Sequence, residues 1–336
     1  MRARTRILTP LALTLALTAA CGESGSSGTG GGDADGSDSA SGEACAPVPG
    51  EQLVVLEDDQ NLQNADNIIP AVNAAAAAAN PALLEALDAV SAALTTEDLI
   101  AMNAGVDVER QSAEDVAAAF VTEQGLDSGV SGGSGPVVVG AADFTESQVL
   151  GNLYADVLNA AGFQATVQTV GNRELYLPAL RSGEIQAFPE YLATVTDILN
   201  SSVNGADAEP VASGDVDATV EALTPIAEQA GLVFGEPSEA TDQNAFAVTQ
   251  EFADELGVTT LSELADACGG GSLTLGGPGE CPERPQCQPG LEETYGLEFA
   301  DFQEFDAGGP LTKAAIQQGE VSIGLVFSSD GALAQG

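Results

Sequence analysis

The chemistry open to this chain is narrow. Its 336 residues include no histidine, which removes the commonest general base and the commonest zinc ligand together. No Ser/His/Asp set can be assembled and no phosphate-binding loop is present. Asp58-Asp59 is an acid pair of the kind glycoside hydrolysis uses, but 51 acidic residues against 8 Lys+Arg make such pairs uninformative. An enzyme is disfavoured, and neither metal nor cofactor is expected. Apart from Cys21, four cysteines remain: Cys45, Cys268, Cys281 and Cys287. In an exported chain an even count reads as two disulfides, with three possible connectivities. Cys281 and Cys287 bracket a short loop with Pro282 and Pro285, which favours that pair and leaves Cys45 with Cys268. A metal site is the alternative, weakened by the missing histidine and the absence of a CxxC.

The formal charge of −43 repels nucleic acid and anionic lipid, so neither is an expected partner. It also suits solubility at high ionic strength. Arg2, Arg4 and Arg6 precede an apolar run from Ile7 to Leu17 and then small residues, so Met1 to Ala20 reads as a signal peptide. That run is too short to span a bilayer. Leu17-Thr18-Ala19-Ala20-Cys21-Gly22 resembles a bacterial lipobox, with Thr18 where the pattern prefers Leu. The resemblance implies cleavage before Cys21 and its acylation. Residues 21–50 are rich in Gly, Ser, Asp and Ala, a composition that cannot offset ordering entropy, and read as a flexible tether. The expected location is the extracytoplasmic face of the cell membrane, held by the lipid alone.

Two blocks follow. In the first, Leu53-Val54-Val55-Leu56 and Ile68-Ile69-Pro70-Ala71-Val72 read as strands. Asn80-Pro81 opens a helix with Leu83, Leu84, Leu87 and Val90 on one face, and Thr95 with Asp98 and Ser112 with Asp115 predict capping boxes for two more. Asp127 to Pro136 is a predicted flexible linker. The second block alternates: strand Val137–Val139, helix Thr145–Ala161, strand Ala165–Val170, helix Glu174–Arg181, strand Ile185–Phe188. Repeated β-α-β implies an α/β fold with a largely parallel sheet. Ligands then bind after Val139, Val170 and Phe188, at the carboxyl ends of the strands.

Val139-Gly140-Ala141-Ala142-Asp143-Phe144-Thr145-Glu146 resembles the opening of the glycine betaine/choline-type substrate-binding proteins of ABC importers. Pro178 to Ile185, Phe188-Pro189-Glu190-Tyr191 with Thr194, Asn244 to Val248, Thr260 to Ala265, Gly290 to Leu297 and Phe327 to Gly331 continue the likeness in family order. The family pattern should run on past Asp330-Gly331 into a strand and further helices, yet those segments stand at the front, from Leu53 to Leu126. A circular permutation is therefore expected; a damaged tandem of two receptors is the alternative. The resemblance implies a type II periplasmic-binding-protein fold, with two α/β lobes, a hinge and a central ligand cleft. By segment, lobe I is about 66–238 and lobe II is about 51–65 plus 239–336.

It also implies a ligand and a site. A quaternary ammonium group offers no N–H, so recognition needs aromatic faces and carboxylates around a dispersed charge. Tyr191 and Thr194 match family positions on lobe I, Asp242 matches one toward lobe II, and Arg284 matches an arginine that clamps a carboxylate. Asn244, Phe327 and Asp66 stand where family members often carry aromatics, and Ala142 replaces a lysine found in some betaine binders. With four tyrosines in the chain, the usual cage cannot be complete, and Asp66 and Asp242 are expected to hold the cation by charge. Arg173 follows a strand and can reach the cleft; it and Asn172 depart from the family pattern. The expected partners are an ABC permease with its ATPase and a small quaternary ammonium ligand such as glycine betaine or choline. The receptor itself is expected to be a monomer. Another cationic or zwitterionic solute, or a sensory or scaffold lipoprotein of the same fold, are the competing readings.

Overall fold

Residues 45–171 and 173–335 are described by a computed structural model. The expected signal peptide, Cys21 and the first part of the tether lie outside these residues. β1 (Leu53–Leu56) and β2 (Ile68–Asn73) come first. β2 is buried at every position, as a strand inside a sheet covered on both faces must be. Asn73 ends it and caps α1 (Ala74–Ala79), accepting from the N–H groups of Ala75 and Ala76. α2 (Ala82–Ser91), α3 (Thr96–Asp107) and α4 (Ala113–Glu123) follow. Thr95 and Asp98 form a full capping box at α3. At α4, Ser112 accepts from Asp115 N–H, and its own hydroxyl donates to the Asp115 carboxylate.

The β-α-β run is β3 (Pro136–Ala141), α5 (Thr145–Ala161), β4 (Gln164–Thr169), α6 (Arg173–Ser182), β5 (Ala187–Tyr191) and α7 (Leu192–Asn204), closed by α8 (Val216–Ala230) and β6 (Leu232–Phe234). Gly162 stops α5 in the left-handed region at φ 110°, which a side chain would disfavour. The second lobe holds β7 (Asn244–Thr249), α9 (Gln250–Leu256), α10 (Leu261–Cys268), β8 (Leu273–Gly277), the single turn α11 (Gln288–Gly290), β9 (Phe299–Glu304), α12 (Pro310–Gln317) and β10 (Ile323–Phe327).

Each lobe has a five-stranded sheet, ordered β4-β3-β5-β2-β6 in lobe I and β1-β7-β10-β8-β9 in lobe II. The expectation of largely parallel sheets needs correction. β3 runs parallel to β4 and β5, and β8 to β9 and β10. β2 is antiparallel to β5 and β6, and β7 to β1 and β10. The reason is connectivity: β2 and β7 are the strands by which the chain enters each lobe from the other. The two crossings, 57–67 and 235–243, lie side by side, with Asn67 bridging Thr241 antiparallel.

Residues 45–50, expected in the tether, are instead packed on lobe II. Cys45 is bonded to Cys268, Val48 O accepts from Thr249 Oγ1 at 2.8 Å, and Gly50 N donates to Gln317 O at 3.0 Å. The expected linker is likewise tied down in its second half, where Gly133 N donates to Ala161 O (3.0 Å) and Gly135 O accepts from Gln164 N (2.9 Å). The causes differ: residues 45–50 are held by the disulfide, by burial of Cys45 and packing of Val48 on the lobe II core, and by backbone bonds, whereas the linker is held by its backbone groups. Among the described residues no helix is long and apolar enough to cross a membrane.

Candidate functional site

The elements point their ends at one place. β3 ends at Ala141, and Phe144, Thr145 and Glu146 follow at the start of α5. β5 ends at Tyr191, the residue before α7. β10 ends at Phe327, paired with Asn244 at the start of β7. Three cavities of about 590, 450 and 560 Å³ share walls there. Phe144 and Tyr191 line the first, Phe144 and Phe327 the second, Tyr191 and Phe327 the third. Each pair of the three rings thus shares a cavity. Phe144 is 46% exposed and Phe327 38%, large values for phenylalanine, and Tyr191 is half-buried.

Beneath the rings lies acid. Glu146 is buried, accepts from Tyr191 OH at 2.7 Å and from Asn103 Nδ2 at 2.8 Å, and shares the second cavity with Asp242. Asp242 Oδ1 is buried with no hydrogen-bond partner among the described residues. Burial first, then the adjacent Glu146 charge, push the Asp242 pKa up to about 8. The Tyr191 phenol is also raised well above its ordinary value, by burial and then by Glu146 and Asp242. An acid with a buried, unpartnered oxygen beside open aromatic rings is arranged to receive positive charge.

All seven ligand residues expected from the sequence line the third cavity: Asp66, Tyr191, Thr194, Asp242, Asn244, Arg284 and Phe327. Their circumstances differ. Asp66 accepts from Thr194 N (2.8 Å) and Thr194 Oγ1 (2.7 Å), so it already caps the first turn of α7. Its pKa is raised by burial, against the pull of those bonds. Arg284 is 62% exposed at its side chain and bonded to Glu280 at 3.2 Å. Of the remaining tyrosines, Tyr154 and Tyr295 are core residues, and Tyr176 lines the first cavity with its hydroxyl donated to Glu190.

Cys281 is bonded to Cys287 and Cys45 to Cys268, both in lobe II. Among the described residues no group of His, Cys, Asp or Glu is placed to hold a metal ion.

The OpuAC family, the substrate binding domain of ABC-type glycine betaine transport systems, matches residues 48–123 and 135–335. The chain belongs to this family. It is a family of transport binding domains and not of enzymes. The OpuAC-family chain is 29% identical over 208 residues to the glycine betaine-binding protein YehZ of Escherichia coli, covering 59% of this chain and 66% of that one. It is 28% identical over 204 residues to a glycine-betaine-binding protein of Pseudomonas aeruginosa, covering 58% and 62%. The chain thus spans a little under two thirds of the length of these relatives. A solved structure of a glycine betaine/carnitine/choline ABC transporter matches with 20% identity and a TM-score of 0.43, over 59% of this chain and 70% of that one.

Two residues of the candidate site were not among those expected from the sequence. Phe144 and Glu146 follow the carboxyl end of β3, the segment where α/β sheets bind ligands. That position was the available signal; the burial of Glu146 was not.

Proposed function

We infer that this chain is the substrate-binding component of an ABC importer that captures a quaternary ammonium solute and delivers it to a permease with its ATPase. One observation carries the reading: Phe144, Tyr191 and Phe327 line the same cavities as buried Glu146 and part-buried Asp242. Open π faces and unpaired carboxylate suit a cation that cannot donate hydrogen bonds. The names of the curated relatives, both glycine betaine-binding, support the same class. Acylation of Cys21 would hold the receptor at the extracytoplasmic face of the cell membrane. Calorimetric titration of the purified chain with choline, glycine betaine, carnitine and ectoine tests the assignment. Binding of the quaternary compounds at micromolar levels is expected. If none binds more tightly than millimolar, the quaternary-ammonium assignment fails.

The fold is read as a circular permutation of the family order. The family matches in two segments separated by 124–134. β2, from the leading block, lies inside the lobe I sheet, and β1 joins the lobe II sheet, so residues 51–126 complete both lobes. Gln317 Nε2 also donates to Glu51 O at 2.7 Å, bringing the start of the domain beside its last helix. A chain reordered to begin at Pro136, with 51–126 following 336, should fold and bind with the same affinity. Failure of several linker lengths to yield folded protein counts against permutation.

A further inference from the structure

Among the described residues the basic side chains are Arg110, Arg173, Arg181, Arg284 and Lys313. Three of them line the cavities around the aromatic trio, one in each: Arg173, Lys313 and Arg284. In so acidic a chain, composition alone does not explain that gathering. The three differ in what they still offer. Lys313 is held by Asp330 at 2.5 Å, and Arg284 lies out in solvent against Glu280. Arg173 is part-buried in the cavity that Phe144 and Tyr191 share.

Its guanidinium is fixed from two sides. Nη2 donates to Glu190 Oε2 at 3.0 Å, while Tyr176 OH donates to Oε1 at 3.0 Å. Cζ lies 5.8 Å from the centroid of the Tyr176 ring, which stacks on Phe188 at 3.8 Å. Nε is buried with no hydrogen-bond partner among the described residues. Nε is thus closed off, and the rigid planar fork keeps only the N–H donors of Nη1 and the second of Nη2 for the cavity, beside two open aromatic faces. Glu190 is fully buried and neutralises the arginine locally, so the pair has little attraction for a bare anion. A carboxylate held next to a quaternary ammonium gains directional bonds from the fork. A cation without one gains nothing from it. In glycine betaine a single methylene joins the two groups, so the ammonium must sit where Phe144 and Tyr191, which also line the cavities of the acids, meet the cavity of Arg173.

Building on the quaternary-ammonium reading above, we propose that Arg173 is a specificity-determining residue that makes the site prefer quaternary ammonium ligands bearing a carboxylate over those lacking one. The bland role for Arg173, neutralising Glu190 alone, makes a different forecast: its loss would weaken every ligand by one common factor. Glycine betaine and choline share the trimethylammonium head and differ at the other end, so calorimetry of the purified protein with both separates the two roles. The wild type should bind glycine betaine at least about tenfold more tightly than choline. Arg173→Gln should shrink that ratio about tenfold, through weaker binding of glycine betaine. The double variant Arg173→Gln/Glu190→Gln leaves no buried unpaired carboxylate and should show the same change of ratio where the single variant folds poorly. Equal affinity for the two ligands in the wild type, or an unchanged ratio in both variants, overturns the proposal while leaving the quaternary-ammonium site standing. Binding of neither ligand by the wild type removes both.

Discussion

The two lobes present different walls to the cleft. Lobe I offers side chains already locked by buried networks: Glu146 with Tyr191 and Asn103, Glu190 with Arg173 and Tyr176, Asp66 with Thr194. Lobe II offers Phe327, Asn244 and Arg284, all at least partly open to solvent, the last on a loop held by the Cys281–Cys287 bond. Lobe I carries the larger apolar core and none of the disulfides, whereas both disulfides staple lobe II. The difference teaches a division of labour. One wall is preorganised by packing, and the other is kept stable by covalent links while its contact residues stay adaptable.

Four measurements break or sharpen that contrast. The Cys45–Cys268 bond closes a sequence separation of 223, so Cys45→Ser/Cys268→Ser should cost about 4–5 kcal/mol in urea unfolding. Cys281→Ser/Cys287→Ser, closing a separation of 6, should cost about 2 kcal/mol. Similar losses for both pairs would mean that loop length does not set their worth. Next, Arg173→Leu leaves Glu190 buried and uncompensated and should cost about 3 kcal/mol or more. Arg284→Leu in the opposite wall should cost under about 1 kcal/mol, and parity between the two would erase the contrast. For binding, Tyr191→Ala should weaken a quaternary ammonium ligand by about 1–2 kcal/mol, and Phe327→Ala by less. A larger effect at Phe327 would make lobe II the primary wall.

The fourth measurement is a pH profile. Asp242 rises from 3.8 to about 8 in the folded protein, so the native state holds a proton that the unfolded state has released between those values. Its contribution to stability is therefore fully present below the unfolded pKa and declines as pH climbs toward the folded one. Asp66 and Glu190 are shifted in the same direction. Wild-type melting temperature should fall from mildly acidic toward alkaline pH, and Asp242→Asn should flatten part of that slope. A bound cation favours the ionised acid, so choline affinity should rise with pH in the wild type and less in the variant. Identical profiles would remove Asp242 from the cation's surroundings.

Much of the fold was legible because apolar periodicity and caps are local. The helix Thr145–Ala161 and the box at Thr95 were readable from spacing alone. Sheet direction was not, since β2 and β7 look like any other buried strand until the crossings are known. The gathering of Asp66, Tyr191, Thr194, Asp242, Asn244, Arg284 and Phe327 at one cavity came from family likeness, not from any single stretch of sequence. The burial of Glu146 was not legible, because a carboxylate in an acidic chain has no local mark of burial.

By itself, the sequence narrowed the class of chemistry: it offers no imidazole as base or zinc ligand, and its eight positive charges stand out against 51 acids. It also determined the helices and strands, because those depend on neighbours within a few residues. The tertiary structure decided which acids became buried and which stayed solvated. It set Arg173 against Glu190 and Tyr176, and left Phe144 and Phe327 open beside Tyr191. Those outcomes depend on contacts between residues far apart in the chain, where burial and partner, not residue type, fix what a side chain can do.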